Sequence, residues 1–291
     1  MKPAPFDYVR AESVEHAVHA LTGGDGDAKV LAGGQSLVPL LSMRLARPSV
    51  LVDINQVSDL DYVRLDGDVL RIGALTRHRT VETSPEVARH VPLLVDALRY
   101  VGHVTIRNRG TIGGSVAHSD PAAELPSVLV ALDGRVVLEG PDGRREVAAA
   151  DFFEGYLTTA AEPDELLTEI IVPVSPRGTG VCVQEQARRH GDFALVAVFS
   201  AVSLDAAGKV ADVRLGIAGT NATPLRPERA ESLLVGESPS EQAIAAAAAA
   251  AAAATGSVGD IHATAKYRTT VAEVLTRRAL QGAVANTNGH H

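Results

Sequence analysis

Apolar positions recur along this chain in two periods, and the change from one to the other marks out most of its elements. Spacings of three and four over 14–21 predict a short helix, with Ser13 placed to cap it and Gly23-Gly24 to end it. The run Lys29-Val30-Leu31-Ala32 reads as a buried strand that Gly33-Gly34 cuts off, followed by a helix over 37–45 and a strand through Val50-Leu51-Val52-Asp53. Asp66-Gly67-Asp68 separates two strand-like runs, 63–65 and 69–72, as a hairpin turn does. Helices are expected over 76–81 and 92–101, then a loop rich in Gly, Thr and Asn, then a helix over 122–132. Asp133-Gly134 and Asp142-Gly143 punctuate a strand pair, 135–139 and 145–148, and a further strand over 166–172 ends at Pro173.

Ser175-Pro176-Arg177-Gly178-Thr179-Gly180 has the composition of a linker, and the texture changes beyond it. Three strands are expected there, over 181–187, 194–204 and 210–218, the last two joined through 205–209. Three helices follow, over 227–235, 241–255 and 267–283. The middle one is almost pure alanine, which has the best helix propensity and permits close packing, so it reads as a packed helix. The pattern describes an α+β protein with a boundary near Gly178.

Composition narrows the function by exclusion. A formal charge of −8 over 291 residues, with Lys and Arg scattered among acids, argues against a nucleic-acid surface. The alanine run is too weakly hydrophobic for a good membrane span, and the first residues lack the apolar stretch of a signal peptide, so a cytoplasmic protein is expected. Cys182 is the single cysteine, which leaves no internal disulfide, no multi-cysteine zinc site and no iron–sulfur cluster held by this chain alone. It is expected to pack within a strand as a small hydrophobe. His16 and His19 stand three apart on the first helix and read as a solvated face, while His290 and His291 end a polar tail.

Two segments break their surroundings in the same manner. Ala32-Gly33-Gly34-Gln35-Ser36-Leu37 passes from strand through a tight turn to a helix. Thr111-Ile112-Gly113-Gly114-Ser115 leads through Ala117-His118-Ser119-Asp120-Pro121 to another. Paired glycines permit positive φ and remove the Cβ that blocks close approach, so backbone N–H groups can converge on an anion. Ser36, Thr111 and Ser115 add hydroxyls without positive charge, which suits a diphosphate held by neutral donors. One such turn alone is a structural feature; two, each with hydroxyls at hand, favour a ligand. Neither is a mononucleotide P-loop, for want of Gly-Lys-Ser/Thr, nor a Gly-x-Gly-x-x-Gly dinucleotide fingerprint, so another fold must hold any dinucleotide.

With Arg44 and Pro48 behind the first segment and Asp120-Pro121-Ala122 behind the second, the pair resembles the FAD signatures of the medium subunit of the molybdenum hydroxylases, the carbon monoxide dehydrogenase and xanthine dehydrogenase family. Arg188-Arg189-His190-Gly191-Asp192-Phe193-Ala194 and Tyr267-Arg268 extend the resemblance over nearly the whole chain. It implies a two-lobed FAD-binding region of the type shared with the cell-wall-precursor reductase, residues 1–177, dividing near residue 53 into sub-lobes 1–53 and 54–177. A C-terminal α+β domain, 178–291, with a three-stranded antiparallel sheet and helices would complete it. By the resemblance, Leu31, Ala32, Gly33, Gly34, Gln35, Ser36 and Leu37, with Thr111, Ile112, Gly113, Gly114 and Ser115, wrap the diphosphate and ribityl chain. Val101, Leu167 and Phe193 would lie near flavin or adenine, and Asp120 and Glu124 would make polar contacts. Glu124 stands where relatives commonly carry aspartate, and a lysine that touches the flavin in xanthine dehydrogenases is replaced near Glu185. The four-iron insertion of one branch is absent.

The resemblance further implies an electron-transfer subunit rather than a complete enzyme. A large molybdopterin subunit and a small subunit with two two-iron clusters would complete a heterotrimer, often doubled. Electrons would pass from those clusters through FAD to an external acceptor, so no catalytic acid–base or metal-ligating residue is assigned to this chain. Substrate and acceptor are not legible here. A self-sufficient flavin reductase and a non-enzymatic flavin carrier are the alternatives. Ser115, His118 and Asp120 lack a nucleophile elbow and read as a turn network rather than a hydrolase triad. His103, Arg107 and Arg109 either offset phosphate charge, meet a partner or are solvated, and Phe193 either shields a ring or packs in the core. Valine at Gly33 and Gly113 is expected to abolish flavin retention while leaving the chain folded.

Overall fold

A computed structural model describes residues 2–24 and 26–287 of the chain; His290 and His291 lie outside the described residues. The first layer is small. Strands β1 (Asp7–Arg10), β2 (Ala28–Leu31) and β3 (Val50–Asp53) form a parallel sheet in the order β1-β3-β2. Parallel neighbours need crossovers, which helix α1 (Val14–Thr22) and the chain through helix α2 (Leu37–Ser42) supply. Ser13 caps α1 by accepting from the His16 N–H at 3.1 Å, as expected, and Ala17, Val18 and Leu21 form its buried stripe. His16 and His19 lie on its exposed side. Strand β1 was not legible beforehand: it is four residues long with no buried position.

The second layer is antiparallel. Strands β4 (Val63–Asp66) and β5 (Val69–Gly73) make the expected hairpin. Helices α3 (His78–Glu82), α4 (Pro85–His90), α5 (Pro92–Leu98), α6 (Val104–Arg107), α7 (Ile112–His118) and α8 (Glu124–Ala131) follow. Strands β6 (Arg135–Gly140) and β7 (Gly143–Ala148), helix α9 (Ala149–Phe152), the small hairpin β8 (Phe153–Gly155) with β9 (Thr158–Thr159), and strand β10 (Leu166–Pro173) complete this part. The sheet order is β4-β5-β10-β6-β7, so β10 is central, and its run of buried residues from Leu166 to Val172 reflects packing on both faces. Within that run Glu169 accepts from Arg71 and Arg144 at 2.8 Å each and from the Tyr62 hydroxyl at 2.5 Å.

After β10 the chain turns at Gly178, at φ +79°, into a three-stranded antiparallel sheet of β11 (Gly180–Ala187), β12 (Ala194–Leu204) and β13 (Val210–Ala218). Helices α10 (Glu228–Ser232), α11 (Glu241–Ala254) and α12 (Ala265–Ala285) follow. Alternation along β12 shows how this sheet is used. Val196, Val198 and Val202 join a core with α11 and α12, whereas Ala197, Phe199 and Ala201 join the core of α5, α8 and β10. The sheet is a layer between two sets of helices, and one hydrophobic cluster continues across the Gly178 connection. Two glycines permit the close approaches: a Cβ on Gly216 would lie 2.5 Å from the Ser127 carbonyl of α8, and one on Gly282 would lie 2.6 Å from Cys182 Sγ. Cys182 thus packs in β11 against α12. The alanine helix α11 is capped by Ser240 and buries Ile244, Ala247, Ala248, Ala251 and Ala252. Among the described residues no helix is long and apolar enough to cross a membrane.

Candidate functional site

The first glycine segment folds as expected. Strand β2 ends at Leu31, Gly34 takes φ +72°, and α2 begins at Leu37. Four consecutive N–H groups here, of Gly33, Gly34, Gln35 and Ser36, donate to no acceptor among the described residues. Gln35 Nε2 folds back to the Gly33 carbonyl at 3.1 Å, and the Ser36 side chain, at the N-cap of α2, makes no capping bond. A run of free amides in a turn, with an uncommitted hydroxyl at its end, is an anion cradle. Helix α2 has only six residues, so the amides rather than a helix dipole carry the attraction.

The second segment differs from expectation. It is the first turn of helix α7, not a loop, and its amides are already used. Ile112 and Gly113 donate to the Thr76 and Ala74 carbonyls at 3.0 Å, Ser115 donates to the Thr111 carbonyl, and Gly114 donates to Thr111 Oγ1, both at 3.1 Å. Main-chain donors therefore come from one turn rather than two. What the second segment brings is proximity and the hydroxyls of Thr111 and Ser115. A Cβ on Gly33 would lie 2.4 Å from the Arg109 carbonyl and 2.8 Å from Gly110 Cα, and one on Gly113 would lie 2.5 Å from the Ala74 Cβ. Gly33 brings the first segment against Arg109-Gly110, just before the second, and Gly113 brings the second against Ala74.

Three residues that the sequence did not single out fasten that contact. Asn55 Nδ2 donates to the Ala32 carbonyl at 2.8 Å, and Asn55 Oδ1 accepts from Arg77 Nη2 at 2.9 Å. Arg77 Nη1 donates to the Arg109 carbonyl at 2.5 Å. A cavity of about 390 Å³ beside this clamp, lined by Asn55, Gln56, Val57, Ser58, Asp61, Leu75 and Arg77, includes no residue of either glycine segment. Buried His78 bonds the Thr111 carbonyl at 2.9 Å through Nε2. A carbonyl only accepts, so Nε2 carries the hydrogen and Nδ1 is left without a partner. Burial pushes the His78 pKa down to about 4, since an imidazolium there would be poorly solvated. The neutral ring is favoured in the folded state, so its contribution is complete above about pH 6.5 and is lost as pH falls toward 4. That difference amounts to about 3 kcal/mol. Urea midpoints compared between wild type and His78→Gln should diverge with pH over this window; parallel curves would show that His78 does not titrate in folding.

The other expected residues divide. Val101 and Leu167 are buried in the main core. Phe193 is 55 % exposed, which rules out core packing and leaves its ring free to cover a ligand. The His103 ring lies 5.7 Å from that of His190, tilted by 56°, and Arg188 pairs with Asp192 at 3.8 Å, in the same region of the β11–β12 connection. Arg107 is not a solvated or phosphate-facing residue: it is buried, paired with Glu82 at 3.0 Å and bonded to the Val101 and Gly102 carbonyls. Arg268 is similarly structural, donating to the Leu195 and Gly219 carbonyls and to Asp260. Asp120 Oδ1 closes a turn by accepting from the Ala122 N–H at 2.9 Å. Glu124 opens α8 only 4 % exposed.

The free amides of 33–36 and the uncommitted Ser36 hydroxyl offer neutral donors from one turn, whereas the Thr111 hydroxyl is buried and already accepts from Gly114. Comparison with known proteins bears on the whole chain. Residues 4–175 match the FAD binding domain in molybdopterin dehydrogenase, and residues 182–283 match the CO dehydrogenase flavoprotein C-terminal domain. The 6-hydroxypseudooxynicotine dehydrogenase complex subunit alpha of Paenarthrobacter nicotinovorans is 44 % identical over 98 % of this chain and 96 % of its own. The nicotine 6-hydroxylase medium subunit of the same organism is 40 % identical over 99 % of this chain and 100 % of its own. Among solved structures, carbon monoxide dehydrogenase from Hydrogenophaga pseudoflava superposes with a TM-score of 0.95 at 38 % identity, covering 98 % of this chain and 99 % of that one. With fold, signatures and relatives in agreement, the chain belongs to the FAD-binding medium-subunit family of the molybdenum hydroxylases.

Proposed function

We propose that this chain holds FAD by its diphosphate in the Gly33–Ser36 turn and relays electrons from iron–sulfur clusters on a partner to an external acceptor. The observation that carries the cradle is the run of four uncommitted amides, set by the Gly33 contact against Arg109-Gly110, which lead into the Thr111–Ser115 helix turn. Bound FAD supplies the redox chemistry, accepting and releasing electrons; the chain supplies position and surroundings. Leu31, Ala32, Leu37 and Ile112 shape the cradle by their backbone, Phe193 covers the ring, and Val101 and Leu167 back it from the core. The division into a FAD-binding region of residues 1–177, with sub-lobes meeting near residue 53, and a domain of 178–291 belongs to the same proposal. So do the partners: a large molybdopterin subunit and a small subunit with two two-iron clusters, in a heterotrimer that can double. The names of the relatives, a complex subunit and medium chains, support this assembly.

Ser36→Ala should weaken FAD by about tenfold, the worth of one hydrogen bond to a charged oxygen, with no change in unfolding midpoint. Flavin fluorescence titration measures it, and equal affinity would remove Ser36 from the site. The relay is tested by mixing the FAD-loaded chain with a reduced two-iron subunit. Rapid loss of flavin absorbance is expected, whereas rapid turnover of an organic substrate by this chain alone would favour a self-sufficient flavin reductase.

A further inference from the structure

A trans peptide is planar, and its C=O and N–H point in opposite directions, so a bond to the carbonyl aims the N–H of the following residue. The peptides that present the amides of Gly33, Gly34 and Gln35 each have that carbonyl taken. The Gly33 carbonyl accepts from Gln35 Nε2 and the Gly34 carbonyl from the Val38 N–H, both at 3.1 Å, so two of the three are held from within the segment. The Ala32 carbonyl is held from outside it, by Asn55 Nδ2 at 2.8 Å. Asn55 is fixed in turn. Its Oδ1 accepts from Arg77 Nη2 at 2.9 Å, and a guanidinium only donates, so the amide nitrogen must face Ala32. Nδ2 also donates to Asp53 Oδ1 at 2.7 Å, and the Asn55 N–H donates to the same oxygen at 2.9 Å. The second carboxylate oxygen of Asp53 accepts from the Tyr8 hydroxyl at 2.5 Å, which ties the group back to β1. Arg77 meanwhile holds the Arg109 carbonyl, against which Gly33 packs. The residue is thus gripped at the preceding carbonyl, walled at its Cα and open at its N–H.

We infer that Asn55 is a positioning residue for diphosphate recognition, turning the Gly33 N–H toward the phosphate oxygens before FAD arrives. This rests on the FAD reading above and adds a side chain that belongs to neither glycine segment. Paired glycines leave a backbone with wide conformational freedom, so the Ala32–Gly33 peptide is the one most in need of an outside tether. Donors aimed in advance bind without the cost of ordering them, and that saving appears as affinity. Asn55 does this by geometry alone. It carries no charge and touches no phosphate, and Arg77 supports it from behind by keeping its amide the right way round.

The test uses the full chain, first without flavin. Backbone amide relaxation by NMR should give Gly33 of the wild type an order parameter of about 0.85, that of rigid backbone, before any FAD is added. Asn55→Ala and Asn55→Leu both remove the donor, one leaving a gap and the other filling it. In each, the Gly33 value should fall below about 0.6 while Gly34 and Gln35, with tethers of their own, stay rigid. Fluorescence titration should show both variants binding FAD about tenfold more weakly, the loss of one aimed donor to a charged oxygen. A purely structural Asn55 would instead lower the urea midpoint and leave the Gly33 order parameter and FAD affinity of the folded variants at wild-type values, which would overturn the role. So would a wild-type Gly33 amide that is mobile and stiffens only when FAD binds, a result that needs no variant to fold. Both results leave the FAD reading intact. Failure of the wild-type chain to bind FAD at all would bring down that reading and the role of Asn55 with it.

Discussion

Valine at Gly33 is expected to cost the chain its fold as well as its flavin. The added Cβ would lie 2.4 Å from the Arg109 carbonyl oxygen and 2.8 Å from Gly110 Cα, both backbone atoms. The Arg109 carbonyl is already held by Arg77, which is tied through Asn55 to Ala32, so it has no room to yield. Overpacking of this kind costs about 3 kcal/mol or more when backbone must move. Gly113, against Ala74, behaves alike. The expectation from sequence that valine at both positions leaves a folded protein is thereby replaced. The cleaner probe is Gly34→Ala. There φ is +72°, and the new Cβ would meet only the side-chain tips of Val38 and Leu31, at 3.1 and 3.3 Å. A left-handed alanine costs about 1–2 kcal/mol. That chain should fold with a lowered urea midpoint and bind FAD weakly, while Gly33→Val should show no cooperative transition at wild-type denaturant. A wild-type midpoint for Gly33→Val would refute the backbone contact.

The second large effect lies away from the cradle, in the sheet behind it. Glu169→Ala should lower stability by about 2 kcal/mol, the cost of leaving the part-buried Tyr62 hydroxyl without its acceptor and Arg71 without its buried partner. Glu169 is 4 % exposed and joins Arg71, Arg144 and Tyr62 from three different strands or their flanks. Its removal strands Arg71 on β5 with only the exposed Asp66 at 2.8 Å, and leaves the Tyr62 hydroxyl without an acceptor. Burial holds that hydroxyl above its usual range with or without Glu169, so it stays neutral and unpaired in the variant. Glu169→Gln keeps volume and one acceptor and should lose less. Urea unfolding of the two variants orders them; equal midpoints would show that charge on Glu169 contributes little.

The central strands were legible because their apolar runs are long: 166–172 and 194–204 are read from sequence within a residue of β10 and β12. Strand β1 was not, since all four of its residues lack the burial that creates a pattern. Helix α7 was read as a loop for a different reason. Glycine disfavours a helix locally, yet Gly113 and Gly114 sit in its first turn, because Gly113 must meet Ala74 and Gly114 must reach the Thr111 cap. Tertiary contact overrides propensity there. At the site, the two glycine segments were visible, but their division of labour was not. Whether an amide is free depends on carbonyls far along the chain, those of Ala74 and Thr76. Asn55, just after β3, and Arg77 and His78, at the start of α3, were missed because a single polar residue at an element's end carries no periodic signal. Arg107 was misjudged because its partners Glu82, Val101 and Gly102 come together only through the packing of α3, α5 and α6.

Amide hydrogen exchange, read residue by residue by NMR with and without FAD, reaches the cradle itself. Saturation with FAD should slow exchange and shift the resonances of Gly33, Gly34, Gln35 and Ser36, while Ile112 to Ser115, whose amides are bonded already, change little. Unaltered resonances at 33–36 in a chain that has turned yellow would mean that the diphosphate is held elsewhere.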